Sequence, residues 1–427
     1  MRQFNMSGYA APGLDTVRVG VIGLGQRGPH HTRIMSTLEG VEIKALCDVR
    51  PEKVAAVKQQ LAGTAHSPAL YSRHESEWKK LCERDDVDLV IITTPLYLHA
   101  EMAVYAMNHG KHVASEVPIA CTIEDCWRLV ETSEQTRKHC MMLENYCYME
   151  FQLLMLNMAR QGVFGQLVHG DCAYIANKMQ NNFSQSLYWE MWWLKLYAGN
   201  KGNVYPTHGL GPICQMMDIN RGDRFDYLVS VESEDFGMAQ RARELAARDD
   251  SFAPYANKDY RGNMNTTLIR TAKGRTIMVQ HDPTTPSPHS LIHGIYGTKG
   301  AALYDPPPPR LSQGGHWASA EEFTALKEKY TPAISKKMGQ LAKESGHGGS
   351  DLLIDWHLID CLRNGLPLDQ DVYDAAAWSA ITPLSQWSVN NRSNSIEVPD
   401  FTTGAWKKNQ PNMDISLERG GSTKVLT

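Results

Sequence analysis

Over the first third of the chain, short apolar runs alternate with stretches long enough for helices. Residues 17–22 read VRVGVI, 41–47 VEIKALC, 87–94 VDLVIITT, 111–115 KHVAS and 140–143 CMML. Runs of this length without strict polar alternation suit parallel strands covered on both faces. Helices are predicted between them at 29–38, 51–61, 78–84, 100–109 and 123–138, the second opened by Pro51 in its first turn. Alternation of this kind builds a doubly wound parallel sheet. Residues 1–15 read as an irregular lead-in, and the first domain spans 16–145.

Beyond residue 145 the texture changes. A helix at 149–161 leads into strands at 167–175 and 227–232. Two more, 264–271 and 275–281, flank Ala272-Lys273-Gly274, a hairpin-like turn, and 291–296 and 301–304 flank a turn from Gly297 to Gly300. This succession predicts an α+β domain over 146–427 with an open, mostly antiparallel sheet. Helices at 351–364 and 372–389 are expected to pack back on the first domain. The charged stretch 238–258 reads as a surface excursion.

The first strand runs into Gly23, Gly25 and Gly28, spaced G-x-G-x-x-G, with Gln26 and Arg27 inside the turn. The first glycine permits the bend, the second lets backbone approach a pyrophosphate, and the third lets helix and strand pack closely. The free N–H groups of the following helix, at the positive end of its dipole, suit the phosphates. The next strand ends in Asp48, about 20 residues beyond the last glycine, the place of a ribose-binding acid. Such an acid favours NAD over NADP, while Arg50 and Lys53 leave that preference open. Thr94, Pro95, Leu96, Tyr97 and His99 follow the third apolar run, at the carboxyl edge where open α/β sheets bind ligands. The plainer alternative, a glycine turn without a nucleotide, ranks below this reading.

Composition narrows the field. A net charge of −4 leaves no basic footprint for nucleic acid, and no apolar run is long enough to span a bilayer. Nine scattered cysteines without a CxxC pair argue against a zinc knuckle or disulfide framework, and no spacing of His, Asp and Glu suggests a metal site. The N-terminus has no signal-peptide core; the expectation is a periplasmic or secreted protein if an export signal has been removed, and a cytoplasmic one otherwise.

The order GLGQRG, Asp48, TTPLYLH and SEVP, followed by a β-rich second half, resembles the Gfo/Idh/MocA family of NAD(P)-dependent oxidoreductases. Within it, residues 202–212, GNVYPTHGLGP, look like the signature of glycoside hydrolase family 109, whose founding activity is α-N-acetylgalactosaminidase. The likeness extends from the FNMSGYAAP segment at 4–12 to near the C-terminus. Ordinary oxidoreductases of this kind carry Glu-Lys-Pro, the lysine acting as acid/base, where this chain has Glu116-Val117-Pro118. Valine moves no proton, so a simple alcohol dehydrogenase is disfavoured, and family 109 sequences share the loss. The resemblance implies tightly bound NAD held by the glycine turn, Asp48, residues 94–97, His99, Glu116, Val117 and Asn145.

Tyr205 and His208 stand three residues apart, so a helix starting here brings them to one face, and histidine exchanges protons near neutral pH. With Tyr174 they form the expected catalytic set; Trp193, Pro206, Thr207 and His289 join them on the substrate side. Trp193 belongs to the run YWEMWW, a candidate sugar platform, and His289 stands where the family suggests a tyrosine. His30 and His31 are read as cofactor-side or surface residues. Glu190 and Asp218 are the nearest acids, and no carboxylate pair of the usual glycosidase kind stands out. The implied reaction is hydrolysis of a terminal N-acetylhexosaminide, foremost α-N-acetylgalactosamine, on a glycan or glycoconjugate. It runs through oxidation at C3, loss of the C2 proton, elimination, water addition and re-reduction. A conventional sugar or inositol dehydrogenase, and a non-enzymatic sugar sensor, are the alternatives. The open sheet face offers a surface on which two copies could pair.

Overall fold

The computed structural model describes residues 4–426 apart from 344 and 346. The first six strands, β1 Val17–Ile22, β2 Val41–Cys47, β3 Ala69–Tyr71, β4 Leu89–Ile92, β5 His112–Ser115 and β6 Cys140–Met142, form one sheet in the order 3-2-1-4-5-6. Every pairing in it is parallel. Val17, Val19 and Val21 in β1 and all of β4 are fully buried, which explains why these strands read as unbroken apolar runs. The connecting helices span Arg27–Met35, Pro51–Gln60, Glu77–Cys82, His99–Asn108 and Ile123–Thr136. The first begins two residues before the expected position and ends earlier. Pro29 then sits in its opening turn, where a missing N–H costs nothing.

Among the described residues a second sheet holds nine strands: β7 Leu167–Ile175, β8 Phe225–Glu232, β9 Asn265–Thr271, β10 Thr276–Asp282, β11 His293–Gly297, β12 Gly300–Leu303, β13 Arg310–Gln313, β14 His316–Trp317 and β15 Ile396–Glu397. Its order is 14-13-12-11-7-10-9-8-15, antiparallel except where β7 lies parallel to β10. That pair sets Tyr174 beside His281 on the inner face. The helix Thr207–Met216 crosses this face, and Gly170 permits the crossing, since a Cβ there would meet Ile213 at 2.4 Å. Helices Ser350–Asn364 and Val372–Asn390 return to the first sheet, joined to it by the Ser379 hydroxyl accepting from Ile119 N–H (3.2 Å).

The stretch 238–258 corrects the expectation of a simple surface excursion. The helix Met238–Ala246 and the turn Asp250–Tyr255 bury Met238, Ala242 and Phe252 in a second small core with Phe183, Met191, Leu194, Tyr197 and Tyr260. Met238 and Ala242 are one turn apart and, with the partly buried Ala239, Leu245 and Ala246, form the apolar side of a helix whose other side carries Gln240, Arg241, Arg243 and Glu244.

Candidate functional site

The β1 strand delivers the chain to Gly23, whose φ of +89° only glycine adopts comfortably. A Cβ on Gly28 would stand 2.0 Å from the Gly23 carbonyl oxygen, so Gly28 serves helix–strand packing and lies outside the cavity. One on Gly25 would meet only an Arg50 nitrogen at 3.5 Å: its backbone faces open space. The helix Arg27–Met35 has no side-chain cap on its first N–H groups, which leaves them for an anion. The Asp48 carboxylate is fixed at the wall by Leu24 N–H (2.6 Å) and Arg50 N–H (2.9 Å), and by the Arg50 guanidinium (3.2 Å). These features fit a dinucleotide whose pyrophosphate lies on the turn.

A cavity of about 730 Å³ runs from this turn to the second sheet. Gly23, Gly25, Gln26, Arg27, Asp48, Thr94, Pro95, Leu96, Tyr97, His99, Glu116, Val117, Asn145, Tyr174, Trp193, Tyr205 and His208 all line it. Among them, His99 and Glu116 are fully taken up by the protein itself. His99 directs both ring nitrogens at carbonyls, of Pro118 (2.9 Å) and Thr94 (2.8 Å), and so holds the loop instead of offering a polar atom. Glu116 lies between Arg27 (2.6 Å) and His31 (3.0 Å); burial opposes its ionisation, but those two cations hold the carboxyl far below the usual range.

At the other end, His208 occupies the first turn of its helix. Its Nδ1 donates to the buried Glu144 carboxylate (2.9 and 3.0 Å), and its Nε2 accepts from the Tyr205 hydroxyl (3.2 Å). Gly211 makes this possible, because a Cβ there would sit 2.7 Å from Glu144 Cγ. The His208 carbonyl is tied down by His293 Nε2 (2.8 Å). Tyr174 stands edge-on to His208 with ring centres 5.1 Å apart. Burial pushes the Tyr174 phenol up to about 12 and the Tyr205 phenol well above its ordinary value, so both remain protonated donors near neutral pH.

Trp193 stacks on Trp192 (4.3 Å) and meets Tyr205 edge-on (5.3 Å), forming an aromatic wall with Tyr188 and Trp189. Pro206 and Thr207, expected to touch substrate, are instead buried beneath the helix start and do not line the cavity. His289 is exposed and also outside the lining, its ring 5.7 Å from Tyr174. Neither Glu190, paired on the surface with Lys195, nor Asp218 reaches the cavity.

Several contributors were not singled out from sequence. Glu144 ends the strand region before Asn145, where an acid draws no notice. Tyr146, His281 and His347 line the cavity. His281 donates Nδ1–H to the Tyr174 carbonyl (3.1 Å), while burial and the nearby Arg261 keep its ring neutral. His31 corrects the surface reading: it is fully buried between Glu116 and Asp355, and although burial works against its charge, Asp355 and Glu116 raise it to about 9. Away from the cavity, His357, Cys361 and Asp369 bring ligand-type atoms within 4.8 Å of one another, with Asp369 engaged by Tyr148 (2.5 Å) and His357.

Comparison with known proteins matches both halves of the chain. Residues 17–144 fit the oxidoreductase family with an NAD-binding Rossmann fold, and residues 148–408 fit the glycosyl hydrolase 109 C-terminal domain. A glycosyl hydrolase family 109 protein of Shewanella pealeana is 46% identical over 417 residues, covering 95% of this chain and 90% of its own. One from Shewanella woodyi is 46% identical over 430 residues, covering 95% and 89%. Among solved structures, levoglucosan dehydrogenase in complex with NADH and L-sorbose superposes with a TM-score of 0.69 at 17% identity, over 91% of this chain and 100% of that one. Apo scyllo-inositol dehydrogenase from Lactobacillus casei gives 0.64 at 14% identity, over 91% and 99%. These two likenesses concern the fold.

Proposed function

The chain belongs to glycosyl hydrolase family 109, an NAD-binding enzyme, and from that premise we propose that it hydrolyses terminal N-acetylhexosaminides, α-N-acetylgalactosaminides foremost. The route is oxidation at C3, loss of the C2 proton to a base with departure of the aglycone from C1, addition of water across the resulting double bond and re-reduction at C3. The observation that carries this reading is the Glu144–His208–Tyr205 relay, which faces the glycine turn across one cavity. Bound nicotinamide supplies a hydride acceptor for the oxidation and a hydride donor for the return.

The residues divide the remaining work. With Nδ1–H committed to Glu144, His208 keeps an Nε2 lone pair that the Tyr205 hydroxyl occupies in this structure; once that hydroxyl turns to the substrate oxygen, Nε2 takes the proton of the 3-hydroxyl. Glu144 stabilises the imidazolium that forms, as a buried carboxylate does for any histidine base. Tyr205 and Tyr174 donate hydrogen bonds to the oxygen as it becomes a carbonyl. Trp193 and Trp192 cover the apolar face of the ring and help exclude water. Val117 lines the cavity and offers no proton. The carboxylates that line it, Asp48, Glu75, Glu101 and Glu116, all come from the nucleotide-binding unit, so direct two-carboxylate hydrolysis has no support at the aromatic end.

The test is p-nitrophenyl α-N-acetylgalactosaminide without added cofactor, following nitrophenol and the NADH absorbance band together. Nitrophenol release without accumulating NADH supports the proposal. NADH rising with free sugars points to a conventional dehydrogenase, and neither signal across a panel of hexosaminides points to a sensor.

On the outer face of the second sheet Tyr227, Val231 and Leu268 are exposed by 39, 59 and 47%. They share one face of β8 and β9, and this apolar patch is the surface on which we infer that two copies pair.

A further inference from the structure

We propose that Asp351 is a positioning residue that ties the second domain onto the cofactor wall and keeps NAD from leaving between turnovers. The need for retention rests on the reading above, because a cofactor that is reduced and reoxidised within one cycle must stay for the whole cycle. NAD is placed by the glycine turn and Asn145, and two elements of that wall converge on this one side chain.

Asp351 lies in the first turn of the helix Ser350–Asn364 and is buried, with 1% of its side chain exposed. It holds the Arg27 guanidinium through two bonds of 3.1 Å, one to each oxygen. Arg27 is the first residue of the helix whose N–H groups face the turn. The Asn145 amide donates to the same carboxylate at 2.7 Å. His347 adds Nδ1 at 2.7 Å, and His30 Nε2 lies 2.8 Å away. Arg27, Asn145 and His347 all line the cavity. One helical turn further on, Asp355 meets His31 at 2.8 Å, with both side chains fully buried. Residues four apart share a helix face, so one face of this helix holds the first helix of the nucleotide-binding domain at two points. Parting the walls enough to release a dinucleotide breaks the contacts of Asp351 with Arg27, Asn145 and His30 and leaves it only His347, an unfavourable step for bonds formed in low dielectric. The two domains are thereby linked next to the pyrophosphate turn, where the link acts on nucleotide escape.

The experiment uses the enzyme purified with its nucleotide. Protein is passed repeatedly through gel filtration, and the NAD remaining per chain is assayed after denaturation. Asp351→Asn is expected to lose NAD at least tenfold faster than wild type, with kcat within about threefold once NAD is added in excess. His347→Gln, which changes a half-exposed partner, is expected to speed loss about threefold. Melting in saturating NAD checks that each variant is folded. Wild-type retention in folded Asp351→Asn overturns the proposal. If that variant does not fold, wild-type retention in both His347→Gln and His30→Gln overturns it instead. Nucleotide retention is measured without any glycan, so this result stands apart from whether the enzyme cleaves one.

Discussion

Replacing Glu144 by glutamine removes one charge from behind His208 and little volume. In the wild type, Nδ1–H points at the carboxylate 2.9 Å away and Nε2 carries the lone pair. A unit charge about 4 Å from the forming imidazolium, at an effective dielectric near 20, is worth roughly 4 kcal/mol. Half of that, surviving after local rearrangement, lowers the rate by about 30-fold. A second effect adds to it. The glutamine amide can turn its NH₂ toward Nδ1, which forces the proton onto Nε2 and abolishes the base. The equivalent loss of a carboxylate behind a catalytic histidine costs about 10⁴ in kcat in serine proteases. We therefore expect kcat to fall by about 10³- to 10⁴-fold in Glu144→Gln, with substrate KM within about threefold and NAD still bound. Glu144→Asp, which keeps the charge, recovers at least tenfold. The assay is nitrophenol release under saturating substrate, with NAD content measured on the same sample. A Glu144→Gln enzyme within threefold of wild type would remove the relay from the mechanism.

Further outcomes follow from the same structure. Gly211→Ala places a Cβ 2.7 Å from Glu144 Cγ and must displace it; activity should drop about 100-fold and stability by roughly 1–3 kcal/mol, read by kinetics and denaturant melts. Trp193→Ala removes an aromatic wall, and KM is expected to rise about tenfold while kcat holds within threefold. His31 has a folded-state value raised from 6.5 to about 9, so its stabilising contribution is complete below pH 6.5, declines as pH rises and is gone above about 9. The shift is worth on the order of 3 kcal/mol, so the stability gap between wild type and His31→Gln should close between pH 6.5 and 10 in denaturant unfolding. Val231→Asp places a charge on the exposed sheet patch, and light scattering after gel filtration should find a dimer for wild type and a monomer for this variant.

The parallel sheet was legible because burial on both faces writes itself into the chain as apolar runs such as 89–92 and 17–22. Tyr205 and His208 do meet, at 3.2 Å, but not across a shared helix face: the helix begins at Thr207, and Tyr205 reaches His208 from the residue before its cap. Glu144 was not legible: it lies 64 positions from His208, and one acid at a strand end carries no local signature. Asp351 is 324 positions from Arg27, and only the return of the C-terminal helix brings them together. His281 reaches the site through strand register with Tyr174, which depends on an unusual parallel pair in an antiparallel sheet. Within 238–258 seven charged residues are spread among the apolar ones, and the stripe of Met238 and Ala242 was lost in that mixture. Pro206 and Thr207 shared the motif with His208, yet the helix turns them inward.

In the proposed reaction a sugar is oxidised, loses its aglycone by elimination and is reduced again within one enzyme. The most direct measurement is hydrolysis of p-nitrophenyl α-N-acetylgalactosaminide in D₂O, with the released sugar analysed by mass spectrometry and NMR. The expected product carries one solvent deuterium at C2, with the original hydrogen retained at C3. Product with no deuterium at C2 would contradict this route.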